Sequence, residues 1–468
     1  MGIRTRFAPS PTGNLHIGGA RSALFNYLFA KQNQGVFVLR IDDTDVERSK
    51  PEFEKDILES FKWLGINWDE GPFRQSERLD IYENYLKKLL EENKAYYCFC
   101  AEDALEAQRQ DQMSRGEAPK YIGTCRDLSK EEIEKNLKEK KPFVIRFKVE
   151  PKKIKFKDII RGEIEFDMNL VGDIIIAKNL ATPLYNFTSV IDDFEMKISH
   201  VIRGEEHLSN TPKQILLQEA LGFTRPEYAH LPMILASDRS KMSKREGATA
   251  VSDYRKEGYL PEALVNFMAF LGWNPGDERE IYSLASLVKE FSLEKVQKGG
   301  AVFNIKRLDF LNGFYIRQRS PEKLAELCLP YLGEIKDMKY LQKIVLIYQE
   351  RLKKLSEIKE LAGFFFEDIN YDRGLLKWKD MEDKEIKQSL EKSKNILEKI
   401  KEDVWEKENL ENILMPEAEK GGDRGRLLWP LRAALTGQKA SAGPFDVAGI
   451  LGRGKTLERI KQAIDLLD

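Results

Sequence analysis

The sequence predicts an α/β protein: a doubly wound parallel-sheet domain split by an α+β insertion and followed by an all-α C-terminal region. Three observations predict it. Strand and helix patterns alternate over roughly the first 95 residues, the alternation breaks from Cys98 to about Val190 and then resumes, and beyond Ser252 the pattern is almost wholly helical.

In chain order, residues 3–7 are strand-like and run into a Pro/Gly turn, Pro9-Ser10-Pro11-Thr12-Gly13. Residues 20–31 carry Leu24, Tyr27, Leu28 and Lys31 at helical spacing, and residues 36–41 are a short apolar run of the buried, parallel-sheet kind. Strands are expected over 143–149 and 159–166, then over 198–203 and 231–235. Between the last two, Thr211-Pro212-Lys213-Gln214 predicts a helix with Thr211 as N-cap, Pro212 in the first turn and Gln214 closing a capping box. Residues 261–272 form a helix with a proline start and a glycine stop. Amphipathic helices fill 321–468. The charged stretch 379–412 is a solvated helix face, and 421–425 is a loop. The expected domains are residues 1–97 with 191–250, an insertion over 98–190, a helical domain over 251–320, and a helical region over 321–468 dividing near 375. A ligand of the split sheet belongs at the carboxyl ends of its strands.

At 468 residues the chain holds about three or more domains of ~150 residues each, and its hydrophobic content of 42% fills several cores. Its net charge is only -1, so a nucleic-acid partner must be held by a segregated basic face rather than by bulk charge. The basic runs at 138–141 and 151–157 read as solvated surface. No signal peptide opens the chain, no apolar run nears the ~20 residues of a membrane span, and four cysteines imply no disulfide framework. The expectation is a cytoplasmic protein without a membrane partner.

Two clusters carry the chemistry. The first continues the turn above through Asn14-Leu15-His16-Ile17-Gly18-Gly19. There a helix start offers free backbone N–H groups to phosphates, and the paired glycines open the backbone to a purine. The second, Lys241-Met242-Ser243-Lys244-Arg245, suits a pyrophosphate clamp. Alone, the first is better read as an ordinary strand–helix connection, and the second has the bland reading of a solvated basic loop. Both together, in this order, favour nucleotide chemistry.

The pair resembles the two motifs of class I aminoacyl-tRNA synthetases, and neighbouring segments narrow the resemblance to glutamyl-tRNA synthetases of the bacterial type. Those segments are Arg40-Ile41-Asp42-Asp43-Thr44-Asp45, Gly71-Pro72-Phe73-Arg74-Gln75-Ser76, Tyr185 ahead of Asp192-Asp193, Val201-Ile202-Arg203-Gly204-Glu205-Glu206-His207 and Leu431-Arg432-Ala433-Ala434-Leu435-Thr436-Gly437. The resemblance covers essentially the whole chain. It implies a Rossmann-like catalytic domain, an acceptor-binding insertion, a stem-contact domain and a helical anticodon-binding region. It also implies ATP-dependent ligation of L-glutamate to tRNA(Glu) by a monomer.

Residue by residue, the resemblance implies that Pro9, Ser10, Thr12, Gly13, His16, Gly18, Gly19, Glu206, Lys241, Ser243 and Lys244 handle ATP. Catalysis falls to His16, Lys241 and above all Lys244. Gly19 stands where the superfamily's better-known motif has histidine, as glutamyl enzymes commonly show. Glutamate is read by Arg6, Ala8, Ser10, Asp42, Tyr185, Ser189 and Arg203, with Tyr185 equally readable as packing. Asp42 stands where the family most often has glutamate for the substrate ammonium, and Ser189 also departs from the family. His207 matches a pocket position. Magnesium is implied by the nucleotide chemistry. Cys98, Cys100 and Cys125, with Tyr121 as fourth donor, are either a zinc site or reduced core thiols. Cys328 reads as a lone buried thiol. Arg351, on the helix through 349–353, falls where discriminating enzymes read the third anticodon base, and Arg432 also belongs to the anticodon region. Activation is expected to require bound tRNA. The alternatives are a non-discriminating enzyme also charging tRNA(Gln), a glutaminyl enzyme (whose anticodon region is β-barrel), a glutamyl-queuosine enzyme (which lacks the C-terminal region), and a catalytically silent tRNA-binding paralogue.

Overall fold

The computed structural model describes residues 2–240 and 250–468. The chain forms two compact units, Met1–Arg255 with Pro261–Leu308, and Lys256–Leu260 with Asp309–Asp468.

The first unit opens with β1 (Arg4–Phe7), α1 (Ile17–Gln32), β2 (Val36–Ile41), α2 (Pro51–Leu64), β3 (Glu70–Arg74) and α3 (Leu79–Glu91). A second, antiparallel sheet follows, built from β4 (Ala95–Cys98), β5 (Val144–Phe147), β8 (Ile174–Asn179) and β9 (Thr182–Pro183) in the order β4-β5-β8-β9. Between β4 and β5 lie α4 (Glu102–Ser114) and α5 (Lys130–Lys138), the latter closed by a capping box of Ser129 and Glu132. Between β5 and β8 come β6 (Lys153–Asp158) and β7 (Gly162–Asp167). The doubly wound part then resumes with α6 (Tyr185–Glu195), β10 (His200–Gly204), α7 (Thr211–Leu221) and β11 (Glu227–Leu231).

The strand order explains where a ligand goes. β1, β2 and β3 pair in parallel, as do β10 and β11. The Ser199 N–H donates to the Arg4 carbonyl at 3.0 Å and sets β10 beside β1. The order β3-β2-β1-β10-β11 is that of a doubly wound sheet, and it reverses between β1 and β10, where such sheets open their ligand crevice. One apolar core serves both sheets, joining Val38, Tyr82 and Val201 to Ile145, Phe147 and Ile176.

The structure corrects the reading of residues 151–166. The basic run is a strand: β6 buries Ile154, Phe156 and Asp158 and exposes Lys153, Lys155 and Lys157, the alternation of a sheet with one wet face. The expected strand over 159–166 instead turns at its start, because Asp158 Oδ1 accepts the N–H groups of Ile160 (3.0 Å) and Arg161 (2.8 Å), and Gly162 takes φ 84. β6 also pairs in parallel with β11, so this hairpin extends the doubly wound sheet although its sequence lies inside the insertion.

Next come β12 (Ile234–Leu235), α8 (Val251–Lys256), α9 (Pro261–Ala269), α10 (Leu284–Glu290), β13 (Ala301–Val302), which pairs in parallel with β12, and α11 (Ile305–Arg317). α9 stops at Ala269, short of the expected Gly272, whose φ of 117 marks the turn beyond it. The second unit continues through α12 (Pro321–Leu332), α13 (Met338–Tyr348), α14 (Ile358–Ala362), α15 (Asp383–Leu397), α16 (Lys407–Glu419), α17 (Gly425–Thr436) and α18 (Pro444–Asp465), with no strand among its described residues. α17 ends at Gly437 in the left-handed region, where glycine carries no Cβ penalty. No described helix is long and apolar enough to cross a membrane. The four cysteines are free thiols, and burial pushes the Cys328 thiol up to about 12.

Candidate active site

The turn after β1 is stitched into place by its backbone. The Asp42 N–H donates to the Pro9 carbonyl (2.9 Å), the Lys50 N–H to the Pro11 carbonyl (3.0 Å), and the Leu15 N–H to Asp56 Oδ2 (2.8 Å). Ser10, Thr12 and His16 are exposed, while Ala8, Pro9 and Gly13 are half-buried. His16 is the N-cap of α1: its Nδ1 accepts from the Gly18 and Gly19 N–H groups at 3.1 and 3.2 Å. An accepting Nδ1 carries no proton, so neutral His16 holds its proton on Nε2 as a donor at a helix start that already favours anions. A Cβ on Gly18 would lie 3.1 Å from the His16 ring, so glycine here lets the ring fold over the helix start.

Lys241, Ser243 and Lys244 lie outside the described residues. Their flanks come to this helix start. A Cβ on Gly18 would stand 3.8 Å from Ile234, and on the other side the Val251 N–H donates to the Leu15 carbonyl at 2.9 Å while Ala250 bridges His16.

Beside the turn, β1 and β2 bury a chain of charges. Arg6 Nε donates to Asp193 Oδ1 (3.1 Å), and Arg40 Nη1 donates to that same oxygen (2.9 Å). Arg40 also forks onto Asp42, Nε to Oδ1 at 2.6 Å and Nη2 to Oδ2 at 3.2 Å. Asp192 is held by Arg78 (2.8 Å), Gln75 (2.9 Å) and the Tyr82 hydroxyl (2.8 Å). Burial would raise the Asp193 carboxyl, but the two arginines outweigh it and hold it below its usual range. At Asp42 burial wins over Arg40 and pushes the carboxyl up to about 6. The structure thus turns Asp42 onto Arg40, which occupies two of the roughly four acceptor positions of a carboxylate. Ser189 is buried on α6.

Across the switch point, Arg203 near the end of β10 donates to the Tyr185 hydroxyl (3.4 Å), Thr211 Oγ1 (2.8 Å) and His230 Nε2 (3.3 Å). His230 Nδ1 lies 2.6 Å from Asp158 Oδ2. Thr211 therefore is not the helix cap: Asn210 takes that position, and the Thr211 hydroxyl serves the Arg203–His230 network, while Gln214 donates to Asn186 at 3.3 Å. Tyr185 also meets His207 Nδ1 at 3.2 Å. Burial, with Arg203 assisting, pulls His207 down to about 4 and keeps it neutral. Glu206 is exposed, and it folds back so closely that a Cβ on Gly204 would fall 2.1 Å from its Oε2.

Sequence reasoning assigned no role at the site to Arg40, Asp158, Asp193 or His230, and read Thr211 only as a helix cap. One signal was present: Arg40 and Arg203 are charges inside otherwise apolar strand runs, and such residues need buried partners.

In the antiparallel sheet, the sulfurs of Cys98, Cys100 and Cys125 lie within 4.8 Å of one another. The Tyr121 hydroxyl is 3.4 Å from both Cys98 and Cys100, and the Arg146 guanidinium covers its ring at 3.9 Å. Three thiols and a phenol oxygen in this arrangement fit a four-donor zinc cage. This is the one cluster of three or more such ligands among the described residues.

In the second unit, Arg351 does not lie on the expected helix: α13 ends at Tyr348 and the Arg351 N–H closes a turn onto that residue's carbonyl at 2.8 Å. Its Nη1 donates to the Ser441 carbonyl (2.7 Å), and Arg432 donates to Ser441 Oγ (3.0 Å) and the Lys439 carbonyl (2.8 Å). One loop therefore brings together two arginines far apart in sequence. Arg432 also covers the Trp429 ring at 4.4 Å.

A doubly wound sheet, a capped anion-ready helix start and arginines at two adjoining strand ends define a nucleotide-binding α/β enzyme that handles an anionic second substrate. Residues 2–310 match the family model for the class I tRNA synthetase (E and Q) catalytic domain, and residues 323–464 match an anticodon-binding domain. The chain belongs to this glutamate/glutamine family of class I aminoacyl-tRNA synthetases. It is 47% identical to the glutamate–tRNA ligase of Carboxydothermus hydrogenoformans, over 98% of this chain and 99% of that one. With glutamate–tRNA ligase 2 of Thermoanaerobacter pseudethanolicus it shares 46% identity over 99% and 98% of the two chains. A glutamate tRNA ligase from Elizabethkingia meningosepticum, solved in complex with its amino acid, superposes with a TM-score of 0.88 at 36% identity, covering 100% of both chains.

Proposed function

We propose that this chain activates L-glutamate with ATP and transfers it to the 3′-terminal adenosine of tRNA(Glu). The α-carboxylate of glutamate attacks the α-phosphorus, the bond to the β-phosphate oxygen breaks, and pyrophosphate leaves. A carboxylate is already a nucleophile, so the protein's work is to place two anions and neutralise developing charge. The observation that carries this reading is the pairing of Arg6 and Arg203 on adjoining strands of the switch point, beside the His16-capped helix. In this reading His16 Nε2–H, the α1 amides, Lys241, Ser243 and Lys244 meet the phosphates. Pro9, Ser10, Thr12, Gly13, Gly18, Gly19 and Glu206 shape the ATP site. Arg6, Ala8, Ser10, Tyr185, Ser189 and Arg203 frame glutamate, and Asp42 faces its ammonium directly or through water. Magnesium arrives with the nucleotide.

The same reading assigns Cys98, Cys100, Tyr121 and Cys125 to zinc, which would pin the insertion by joining four donors. It assigns acceptor-end contact to 98–190, stem contact to 251–320 and anticodon contact to 321–468, with Arg351 and Arg432 at the bases. The enzyme is read as a cytoplasmic monomer that needs bound tRNA for activation and discriminates against tRNA(Gln). A guanidinium offers only donors, so Arg351 suits cytosine's acceptors at the third anticodon base.

The test is ATP–pyrophosphate exchange on purified protein with and without tRNA. Exchange should require glutamate and tRNA together, and Lys244→Ala should slow it by on the order of a hundredfold, the usual cost of losing one preorganised charge donor. Robust exchange without tRNA would remove the tRNA-dependence, and normal exchange by Lys244→Ala would remove the phosphate clamp.

A further inference from the structure

We propose that Arg40 is the positioning residue that spaces the two groups reading glutamate, Arg6 and Asp42, and so sets the length of amino acid the pocket accepts. This rests on the glutamate reading above and goes beyond it.

Arg40 is 0% exposed, so it acts on a ligand only through its neighbours. Those neighbours are the two ends of the substrate site. One oxygen, Asp193 Oδ1, accepts from both Arg6 and Arg40, at 3.1 and 2.9 Å. The other edge of the Arg40 guanidinium holds both oxygens of Asp42, at 2.6 and 3.2 Å. Arg6, Asp193, Arg40 and Asp42 thus form an unbroken chain of charge-assisted contacts. Its centre is a planar fork that cannot bend without breaking one of them. Arg40 is the one fully buried member of the chain, with Arg6 at 4%, Asp42 at 6% and Asp193 at 7% around it.

Charge counting argues that the cluster is built for geometry rather than stability. Arg6, Arg40 and Arg78 face Asp42, Asp192 and Asp193, an even balance inside the fold. Burying five of these charges, with Arg78 half-buried, carries a desolvation cost that an apolar core of equal volume would avoid. What the apolar core would lack is a fixed span between a cation and an anion. Glutamate presents its side-chain carboxylate and its ammonium at one separation, and aspartate, shorter by one methylene, presents them at another. A yoke that keeps Arg6 and Asp42 from closing up rejects the shorter acid by leaving one buried charge unpaired, a larger penalty than a lost methylene contact alone.

The experiment measures kcat/KM for L-glutamate and for L-aspartate in pyrophosphate exchange at saturating tRNA, with KM for ATP as an internal control. Asp193→Asn keeps the shape but weakens the shared contact. It should raise KM for glutamate about tenfold or more and lower the glutamate-to-aspartate ratio at least fivefold, with KM for ATP within about twofold of wild type. Should that variant not fold, Arg40→Lys carries the same readout: it preserves the charge balance, but a point charge cannot hold Asp42 and Asp193 together. Asp192→Asn is the control for general loosening of the cluster: its hydrogen bonds go to Arg78, Gln75 and Tyr82, and it meets Arg40 only as an ion pair at 3.6 Å, so the hydrogen-bonded chain from Arg6 to Asp42 stays whole. It should lower Tm and leave the substrate ratio unchanged. An unchanged ratio in Asp193→Asn, or an equal fall in Asp192→Asn, overturns the proposal. Wild-type protein with no glutamate-dependent exchange would overturn the function itself, a separate and recognisable result.

Discussion

Two pairs of arginines, one in each unit, are held in opposite ways. In the first unit Arg6 and Arg40 are buried against carboxylates, which fix the direction of their guanidinium groups. In the second unit Arg351 and Arg432 rest on Ser441 and on backbone carbonyls, with no carboxylate among the hydrogen bonds that anchor them. A carboxylate-paired arginine is held rigidly in one direction, which suits a small pocket that must measure a ligand. A carbonyl-anchored arginine is oriented but still cationic, which suits a polyanion arriving from solvent. Burial lowers the pKa of Arg432 and the neighbouring Arg351 lowers it further, as two like charges held close together do.

The largest effect expected from this contrast is on stability. Arg40→Met leaves Asp42 and Asp193 buried beside one less cation and should cost about 3–5 kcal/mol, read by denaturant or thermal unfolding. Arg351→Gln, at an exposed position, should change stability by less than about 0.5 kcal/mol. Equal losses would erase the distinction between the two settings.

On function the two settings act on different substrates, Arg40 on the amino acid and Arg351 on the tRNA. Arg351→Gln should relax the choice between tRNA(Glu) and tRNA(Gln) by roughly 1–3 kcal/mol without altering tRNA-saturated pyrophosphate exchange. It should also flatten the salt dependence of tRNA binding. If the wild-type protein already charges both tRNAs equally, the discriminating assignment fails.

His16 offers a smaller, mixed effect. His16→Ala removes the cap from α1 and should cost roughly 0.5–2 kcal/mol of stability, a loss that Asn, a good cap, should largely restore. If the imidazole Nε2–H also meets phosphate, Asn will rescue Tm but not KM for ATP.

The mildest test uses pH. Asp42 is raised to about 6, so it is ionised at pH 7 and gains a proton as pH falls through that value. Its folded pKa lies above the unfolded one, so the proton uptake itself favours the folded state, and weaker glutamate binding in that window would not be unfolding. KM for glutamate should rise a few-fold from pH 7 to pH 5, whereas the choice between tRNA(Glu) and tRNA(Gln) should stay flat.

How much of this was legible before folding depends on the range of each interaction. The fold class was legible, because period-2 and period-3.6 patterns and turn residues are local signals, and the structure bears it out as a Rossmann-like domain followed by a helical region. Local reading faltered where a side chain had a distant competitor. Thr211 has the sequence of a cap, yet its hydroxyl bonds to His230 and accepts from Arg203. Residues 153–158 have the composition of a solvated run, yet half of them face the core because β11 lies beside them.

The sequence by itself determined the order of elements, the turn that carries His16, and the residue types available for anions, since these depend on neighbours within a few positions. Only the tertiary structure decided that Arg6 and Arg203 end on adjoining strands, that Asp193 serves two arginines at once, and that Arg351 and Arg432 share Ser441. The physical reason is one of distance along the chain. A buried charge takes whichever partner the packing delivers, and for Arg6 that partner lies 187 residues away.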